Sequence, residues 1–250
     1  MAEWITPDWP APPNVKAAAT LRTGGVSQGA FSSLNLGSHV GDDPAAVAEN
    51  RRLLRAALQL QAEPTWLNQV HGTAVVDAAS RNAAAGDATS PTADASVAHG
   101  AGAVCVVMTA DCLPVLFCDR DGTRVGAAHA GWRGLAGGVL GATIKALDVP
   151  PSRLMAWLGP AIEQDAFEVG DDVHEAFLKL AADNAAAFKA NARGRWQADL
   201  YQLARNELAR LGMTAVYGGG CKCFADSERF FSYRRESRTG RMATLVWLDR

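Results

Sequence analysis

Five short apolar runs, at residues 102–108, 113–118, 125–128, 154–158 and 243–248, mark out the second half of the chain. Their lengths and β-branched content suit strands buried on both faces. Between them, residues 132–147, 171–188 and 199–211 place apolar side chains at helical spacing. In the last of these Leu200, Leu203, Ala204, Leu208 and Leu211 share one face, with Asp199 as the N-cap. The alanine-rich tract at 181–192 reads as helix by propensity. Residues 7–14, rich in proline, and 80–93, rich in small residues without periodicity, read as loops too short to link domains. The pattern predicts a mixed α/β (α+β) chain of one domain, 1–250, with helices covering sheet faces.

On this layout Cys112 follows one strand and His129 ends the next, while Gly131 opens a helix, so chemistry-bearing residues gather at element ends. Three local sequences stand out: Asn68-Gln69-Val70-His71-Gly72, Thr109-Ala110-Asp111-Cys112 and His129-Ala130-Gly131-Trp132-Arg133-Gly134. His71, Cys112 and His129 are donors of the kind zinc prefers, and a three-donor site leaves one position for water or substrate. Asn68 and Gln69 bring amides for substrate or for supporting hydrogen bonds. Asp111, a carboxylate at a buried strand end, needs a task or a partner. The amides of the helix start after Gly131, together with Arg133, can hold an anion.

Composition narrows the partners. With 48% hydrophobic residues and a net charge of −2, the chain reads as a packed globule, and no basic run is present to neutralise a phosphodiester backbone. Nucleic acid is therefore not an expected partner. The cluster Arg229, Arg234, Arg235, Arg238 and Arg241 fits a small anion instead. No cationic leader opens the sequence and no apolar run approaches the roughly 20 residues of a bilayer span, which predicts a cytoplasmic protein without a membrane partner. Five cysteines, an odd number, read as reduced thiols, with Cys105 and Cys118 as small core residues.

Other patterns carry less. Gly25-Val26-Ser27-Gln28-Gly29 matches a nucleophile elbow but lacks the flanking strand and helix, so it reads as a turn. His174-Glu175 lacks a second histidine, Cys221-Lys222-Cys223 lacks a companion pair, and His39 and His99 sit in no motif.

The ordered set Arg22-Thr23-Gly24-Gly25-Val26-Ser27, Ser33-Leu34-Asn35-Leu36, Asn68 to Gly72, Ala110-Asp111-Cys112, His129 to Gly134, Gly159-Pro160-Ala161-Ile162 and Phe230-Phe231-Ser232-Tyr233-Arg234-Arg235 resembles the YfiH family, also called the laccase-domain or polyphenol oxidase family. The resemblance implies a layered helix-sheet-sheet-helix domain similar to the cysteine-hydrolase fold of the cytotoxic necrotizing factor catalytic domain. It implies that His71, Cys112 and His129 form a metal site. It further implies a purine nucleoside phosphorylase acting on adenosine, inosine and methylthioadenosine, with adenosine deaminase activity, or an editing factor that removes wrongly built peptidoglycan precursors. Glu163-Gln164 departs from the family's usual Gly-Pro after Ile162, and Cys221 is additional to its pattern.

The residues leave more than one chemistry open. In a zinc enzyme Asp111 or Asp94 would move the proton, while Arg22, Arg133 or Arg234 would hold phosphate and Asn35, Asn68, Gln69 and Tyr233 would face the nucleoside. In a cysteine hydrolase Cys112 would be the nucleophile and His129 its base. Copper is the alternative ion, but five histidines are too few for a multi-copper cluster.

Overall fold

Alternate residues of the central strands face two different apolar interiors. Cys105 and Val107 point one way and Val104, Val106 and Met108 the other, yet all five are buried. A strand buried on both faces needs a layer on each side, and the chain supplies both.

The structure, a computed structural model, describes residues 2–80 and 90–249. Strands β1 (Trp4–Ile5) and β2 (Val15–Thr20) precede helix α1 (Pro44–Ala57), followed by β3 (Pro64–Thr65), β4 (Val75–Asp77), β5 (Ala95–Ala98), β6 (Val104–Thr109), β7 (Leu113–Asp119) and β8 (Val125–Ala130). Helices α2 (Trp132–Gly137) and α3 (Val139–Leu147) lead to β9 (Leu154–Leu158) and β10 (Glu168–Val169). Then come α4 (Asp171–Leu180), β11 (Phe188–Ala190), β12 (Trp196–Ala198), α5 (Leu200–Arg210), β13 (Val216–Gly218) and β14 (Met242–Leu248).

A five-stranded sheet runs β1-β2-β14-β6-β3 and a six-stranded sheet runs β13-β9-β7-β8-β5-β4. They stack face to face over Cys105, Val107, Leu116, Cys118, Ala127, Trp157 and Val246. Outside the six-stranded sheet, Leu113, Val115 and Phe117 pack against Leu140, Ile144 and Leu147 of α3 and Leu203 and Leu208 of α5. Outside the five-stranded sheet, Val104, Val106, Met108 and Leu245 pack with Leu54 of α1 and with Leu34 and Leu36. The order helix-sheet-sheet-helix is the layering the family resemblance implied. A small third sheet, β10-β12-β11, packs at the edge with α4.

The sequence placed β9 at its observed bounds and the other central strands to within two residues or so. It placed α5 as well, where the Asp199 carboxylate accepts from the Gln202 amide as the cap requires. Three readings change. The helix expected over 132–147 is broken at Gly138, whose φ of 93° no continuing helix tolerates, so α2 has only six residues. The helix expected over 171–188 stops at Leu180. The alanine-rich tract continues as a 3-10 turn (Ala182–Ala187) and then strand β11, because burying Phe188 and pairing with β12 outweigh the few tenths of a kcal/mol that alanine gives a helix. Helix α1 was not expected, although Asp43 caps it by accepting from the Ala45 amide and Pro44 opens it. Within the loop read at 80–93, residues 81–89 lie outside the described residues. Among the described residues, no helix is long and apolar enough to cross a membrane.

Candidate metal centre and active-site cavity

The registers fix where the chemistry sits. Leu113 at the start of β7 faces Ala130 at the end of β8, and Met242 at the start of β14 faces Thr109 at the end of β6. Both sheets therefore present the same end of the sandwich to one cavity, and the tight turn Ala110-Asp111-Cys112 crosses from β6 in one sheet to β7 in the other. Asp111 takes a φ of 95° in that turn, and its backbone carbonyl accepts from the Ile162 amide.

His71 lies in the loop between β3 and β4 with a φ of 60°, a conformation uncommon for a residue with a side chain. The fully buried Asp94, one residue before β5, holds it there. Asp94 Oδ1 accepts from the His71 amide at 2.9 Å and Oδ2 from the Val70 and Gly72 amides at 3.2 and 2.6 Å. The same Oδ1 accepts from His129 Nδ1 at 2.8 Å, which leaves His129 Nε2 facing the cavity. Burial pushes the Asp94 carboxyl up, but the bonds from His129 and Gly72 and the His129 charge outweigh it, so its pKa is lowered.

His71, Cys112 and His129 converge. The donor atoms lie within 4.8 Å of one another, Cys112 Sγ is 3.8 Å from His71 Nε2, and the imidazoles meet edge-on at 4.8 Å between centroids. Tetrahedral zinc, with bonds of about 2.0–2.1 Å to nitrogen and 2.3 Å to sulfur, separates its donors by about 3.3–3.6 Å. The 3.8 Å between Cys112 and His71 is near that range, and the set as a whole would draw in by up to about 1 Å to hold one ion. Gly131 completes the cradle, because a Cβ there would lie 2.9 Å from both Cys112 Sγ and His71 Cδ2. Burial raises the Cys112 thiol, yet the neighbouring imidazoles hold it down at about 6. Burial lowers His129, yet the Cys112 and Asp94 charges lift it to about 9. Among the described residues this is the one such grouping of His, Cys, Asp or Glu that can hold a metal. Cys105 and Cys118, by contrast, are packed between the sheets with thiols pushed up to about 12, the core role expected of them.

The cavity in front of these donors encloses about 470 Å³, within the roughly 300–1,000 Å³ of small-molecule sites. Arg133, Arg234 and Arg241 line it, while Met108, Ile162 and Phe167 form an apolar side. Tyr233, half exposed, stands at its lining, and Asp111 faces it. Asp111 Oδ2 accepts from the Arg234 amide at 2.7 Å, and its buried Oδ1 has no partner among the described residues. Burial dominates over the bonds from Arg234 and Ser232 and raises the Asp111 carboxyl above its ordinary range.

Several expected site residues stand back from the cavity. Gln69 lines it, but both ends of its amide are tied to the Met108 backbone, at 2.7 and 2.8 Å. Asn68 bonds Thr92 outside it. Arg22 braces Ser32 and Ser227 and stacks on Phe231, so it lies behind the wall. Asn35 is fully buried and accepts from the Arg241 amide with Oδ1. Arg241 and His39, neither assigned to the site from sequence, do line the cavity. Arg241 belonged to the recognised arginine cluster and precedes β14 directly, which was the available clue. The motif Gly159-Pro160-Ala161-Ile162 brings in Ile162, and the Tyr201 hydroxyl steadies it by accepting from the Ala161 amide and donating to the Gly159 carbonyl. The Glu163 carboxylate accepts from the Phe224 and Ala225 amides, which gives the loop after Ile162 its anchor. With only six residues, α2 contributes a weak dipole, so the helix start after Gly131 is a poorer anion site than the sequence suggested.

The chain is similar to known proteins over nearly its whole length, in sequence and in fold. The chain is 56% identical over its whole length to a purine nucleoside phosphorylase of Pseudomonas aeruginosa, with 100% of each chain covered. It is 50% identical to the purine nucleoside phosphorylase YfiH of Escherichia coli, covering 99% of this chain and 100% of that protein. A crystal structure of a Neisseria meningitidis protein superposes with a TM-score of 0.93 at 55% identity, covering 99% of each. YlmD from Geobacillus stearothermophilus superposes at 0.92 with 30% identity, covering 99% of this chain and 96% of that one. The family description "multi-copper polyphenol oxidoreductase laccase" matches residues 16–249. Sequence and fold together place this chain in the multi-copper polyphenol oxidoreductase laccase family, alongside relatives named YfiH and purine nucleoside phosphorylase.

Proposed function

We propose that the chain is a zinc-dependent purine nucleoside phosphorylase, acting on adenosine, inosine and methylthioadenosine, that also deaminates adenosine. The observation that carries this reading is one cavity lined by a His-Cys-His donor set and by three arginines, in a chain whose relatives bear the phosphorylase name. His71, Cys112 and His129 would hold the ion. When bound there, zinc supplies Lewis acidity that polarises an oxygen and lowers the pKa of water towards about 7. The same donors also suit copper, but one three-donor site is not a multi-copper cluster.

In phosphorolysis a phosphate oxygen forms a bond to C1′ of the ribose as the bond from C1′ to the purine nitrogen breaks, giving ribose 1-phosphate and the free base. Arg133, Arg234 and Arg241 bind the phosphate dianion and offset its repulsion from the leaving purine. Met108, Ile162, Phe167 and Tyr233 exclude water around the base. Asp111, which lines the cavity with a carboxyl raised by burial, is the group for hydrogen bonding and proton exchange with the purine or with attacking water, whereas both oxygens of Asp94 are taken. In deamination water adds at C6 of adenosine and ammonia leaves, yielding inosine.

One observation favours a second reading. Cys112, His129 and Asp94 stand in the thiol-imidazole-carboxylate series of a cysteine hydrolase, which would cleave an amide in a peptidoglycan precursor. A metal-bound thiolate is not free to be that nucleophile.

Metal analysis of untagged protein, paired with chromatography of adenosine incubated with and without phosphate, separates the two. The phosphorylase reading expects about one zinc per chain, adenine only when phosphate is present, and inosine in either case. A zinc-loaded protein that turns over no purine refutes it. Amide cleavage by a metal-free, rapidly alkylated Cys112 would establish the alternative.

A further inference from the structure

We infer that Asp94 is the positioning residue that pre-forms the metal centre, by tying both imidazole ligands to one carboxylate. The inference rests on reading His71, Cys112 and His129 as a metal site, and it concerns how the chain builds that site, whatever reaction follows.

Asp94 is fully buried and makes four side-chain hydrogen bonds, all to the two histidine-bearing segments. Its backbone is woven into them as well. The Asp94 carbonyl accepts from the His129 amide at 2.7 Å, and the Asp94 and Ala95 amides donate to the Ala74 carbonyl just beyond the His71 loop. Thr92 bridges Asn68 on the other side of that loop. His129 is thus set on a rigid strand, whereas His71 sits in an exposed loop with a left-handed backbone that is uncommon for a non-glycine residue. The carboxylate holds that backbone by accepting from three successive amides. At the same time the His129 Nδ1–H bond to Oδ1 fixes the tautomer in which Nε2 is free to ligate.

An amide cannot do both jobs. In one orientation of Asp94→Asn, the new NH2 faces the Val70 and Gly72 N–H groups, donor against donor, and releases the His71 loop. In the other it faces His129 Nδ1 and selects the tautomer whose Nε2 carries the proton and cannot bind an ion. Either way one ligand is lost from register.

The test is the affinity for Zn²⁺ measured by chelator competition on wild type, Asp94→Asn and Asp119→Asn. Asp119 is an equally buried carboxylate, bonded to Thr123 and Arg124 in the turn after β7, away from the site, so it controls for simple destabilisation. Supporting oxygens of this kind are worth about 10–100-fold in metal affinity. That weakening is expected for Asp94→Asn, with none for Asp119→Asn. Unchanged Zn²⁺ affinity in Asp94→Asn overturns the inference alone, while a wild type that binds no Zn²⁺ overturns the metal reading with it. Should Asp94→Asn fail to fold, NMR of zinc-loaded wild type decides. The His129 Nδ1 proton is expected far downfield and slow to exchange, as a buried bond to a carboxylate requires, and a rapidly exchanging or absent proton overturns the assignment.

Discussion

Replacing Gly131 by alanine isolates the steric demand of the centre. Gly131 has φ −60° and ψ 156°, angles alanine adopts without strain, so the backbone itself does not resist the change. The added methyl does. It would lie 2.9 Å from His71 Cδ2 and 2.9 Å from Cys112 Sγ, where carbon pairs settle at about 3.5–4.0 Å. The deficit, about 0.6–1.1 Å, must be absorbed by two of the three ligands or by α2. Metal-site distances hold to about 0.2 Å, so the donor set is displaced by several times its tolerance. Overpacking and the poorer N-cap together cost about 2 kcal/mol, or a fall of about 4–8 °C in Tm for a chain of this size. The protein therefore stays folded, while kcat/KM for adenosine drops about 100-fold, the usual effect of a 1 Å misplacement. Gly141→Ala in α3 is the matched control. Its Cβ would meet only Leu211, at 3.5 Å, so helix propensity makes it neutral or stabilising by up to about 1 kcal/mol. Thermal melts, zinc titration and adenosine turnover on both variants check the argument. A Gly131→Ala protein with wild-type zinc affinity and turnover would refute the reasoning.

Two further outcomes follow from the electrostatics. In metal-free protein the Cys112 thiol sits at about 6 instead of 9, so its alkylation by iodoacetamide should climb as pH rises through 6 and level off by neutrality. Cys105 and Cys118, at about 12, should stay unmodified, and zinc should protect Cys112; mass spectrometry of digests reads all three, and a Cys112 rate still rising above pH 8 would count against the imidazole-stabilised thiolate. Arg133→Ala should lower phosphorolytic kcat/KM by about tenfold, the lower end for charge-assisted bonds at an exposed residue, and leave inosine formation nearly unchanged; equal loss of both activities would mean that Arg133 does not act on phosphate.

The sequence alone was enough to pick out the three donors that the structure brings together, and the layers. His71, Cys112 and His129 stood in distinctive local wording at predicted element ends, and apolar runs of strand length announced strands with a covering layer on each side. Local patterns of this kind survive because a strand buried on two faces, a capped helix such as α5, and a motif of adjacent residues are each specified within a few positions of the chain. Where local preference and tertiary pairing disagreed, pairing won: Gly138 split a periodic helix, and alanines that favour a helix gave way to a strand that buries Phe188.

What the sequence could not assign was the direction in which a polar side chain points once distant segments meet. Asp94 and Asp111 are both carboxylates near strand ends, yet one is surrounded by donors and turned to the histidines, while the other lines the cavity and accepts from the Arg234 amide. Arg22 and Arg241 lie at opposite ends of the chain; the first stacks behind the wall and the second reaches the cavity. Those roles depend on partners more than a hundred residues away for Arg22 and Arg241, and on contacts with the His71 loop and the neighbouring strand β8 for Asp94. The residue types that make the chemistry possible are written locally, but the division into ligand, support and cavity wall is set by burial and hydrogen-bond satisfaction, which exist only after the two sheets have packed.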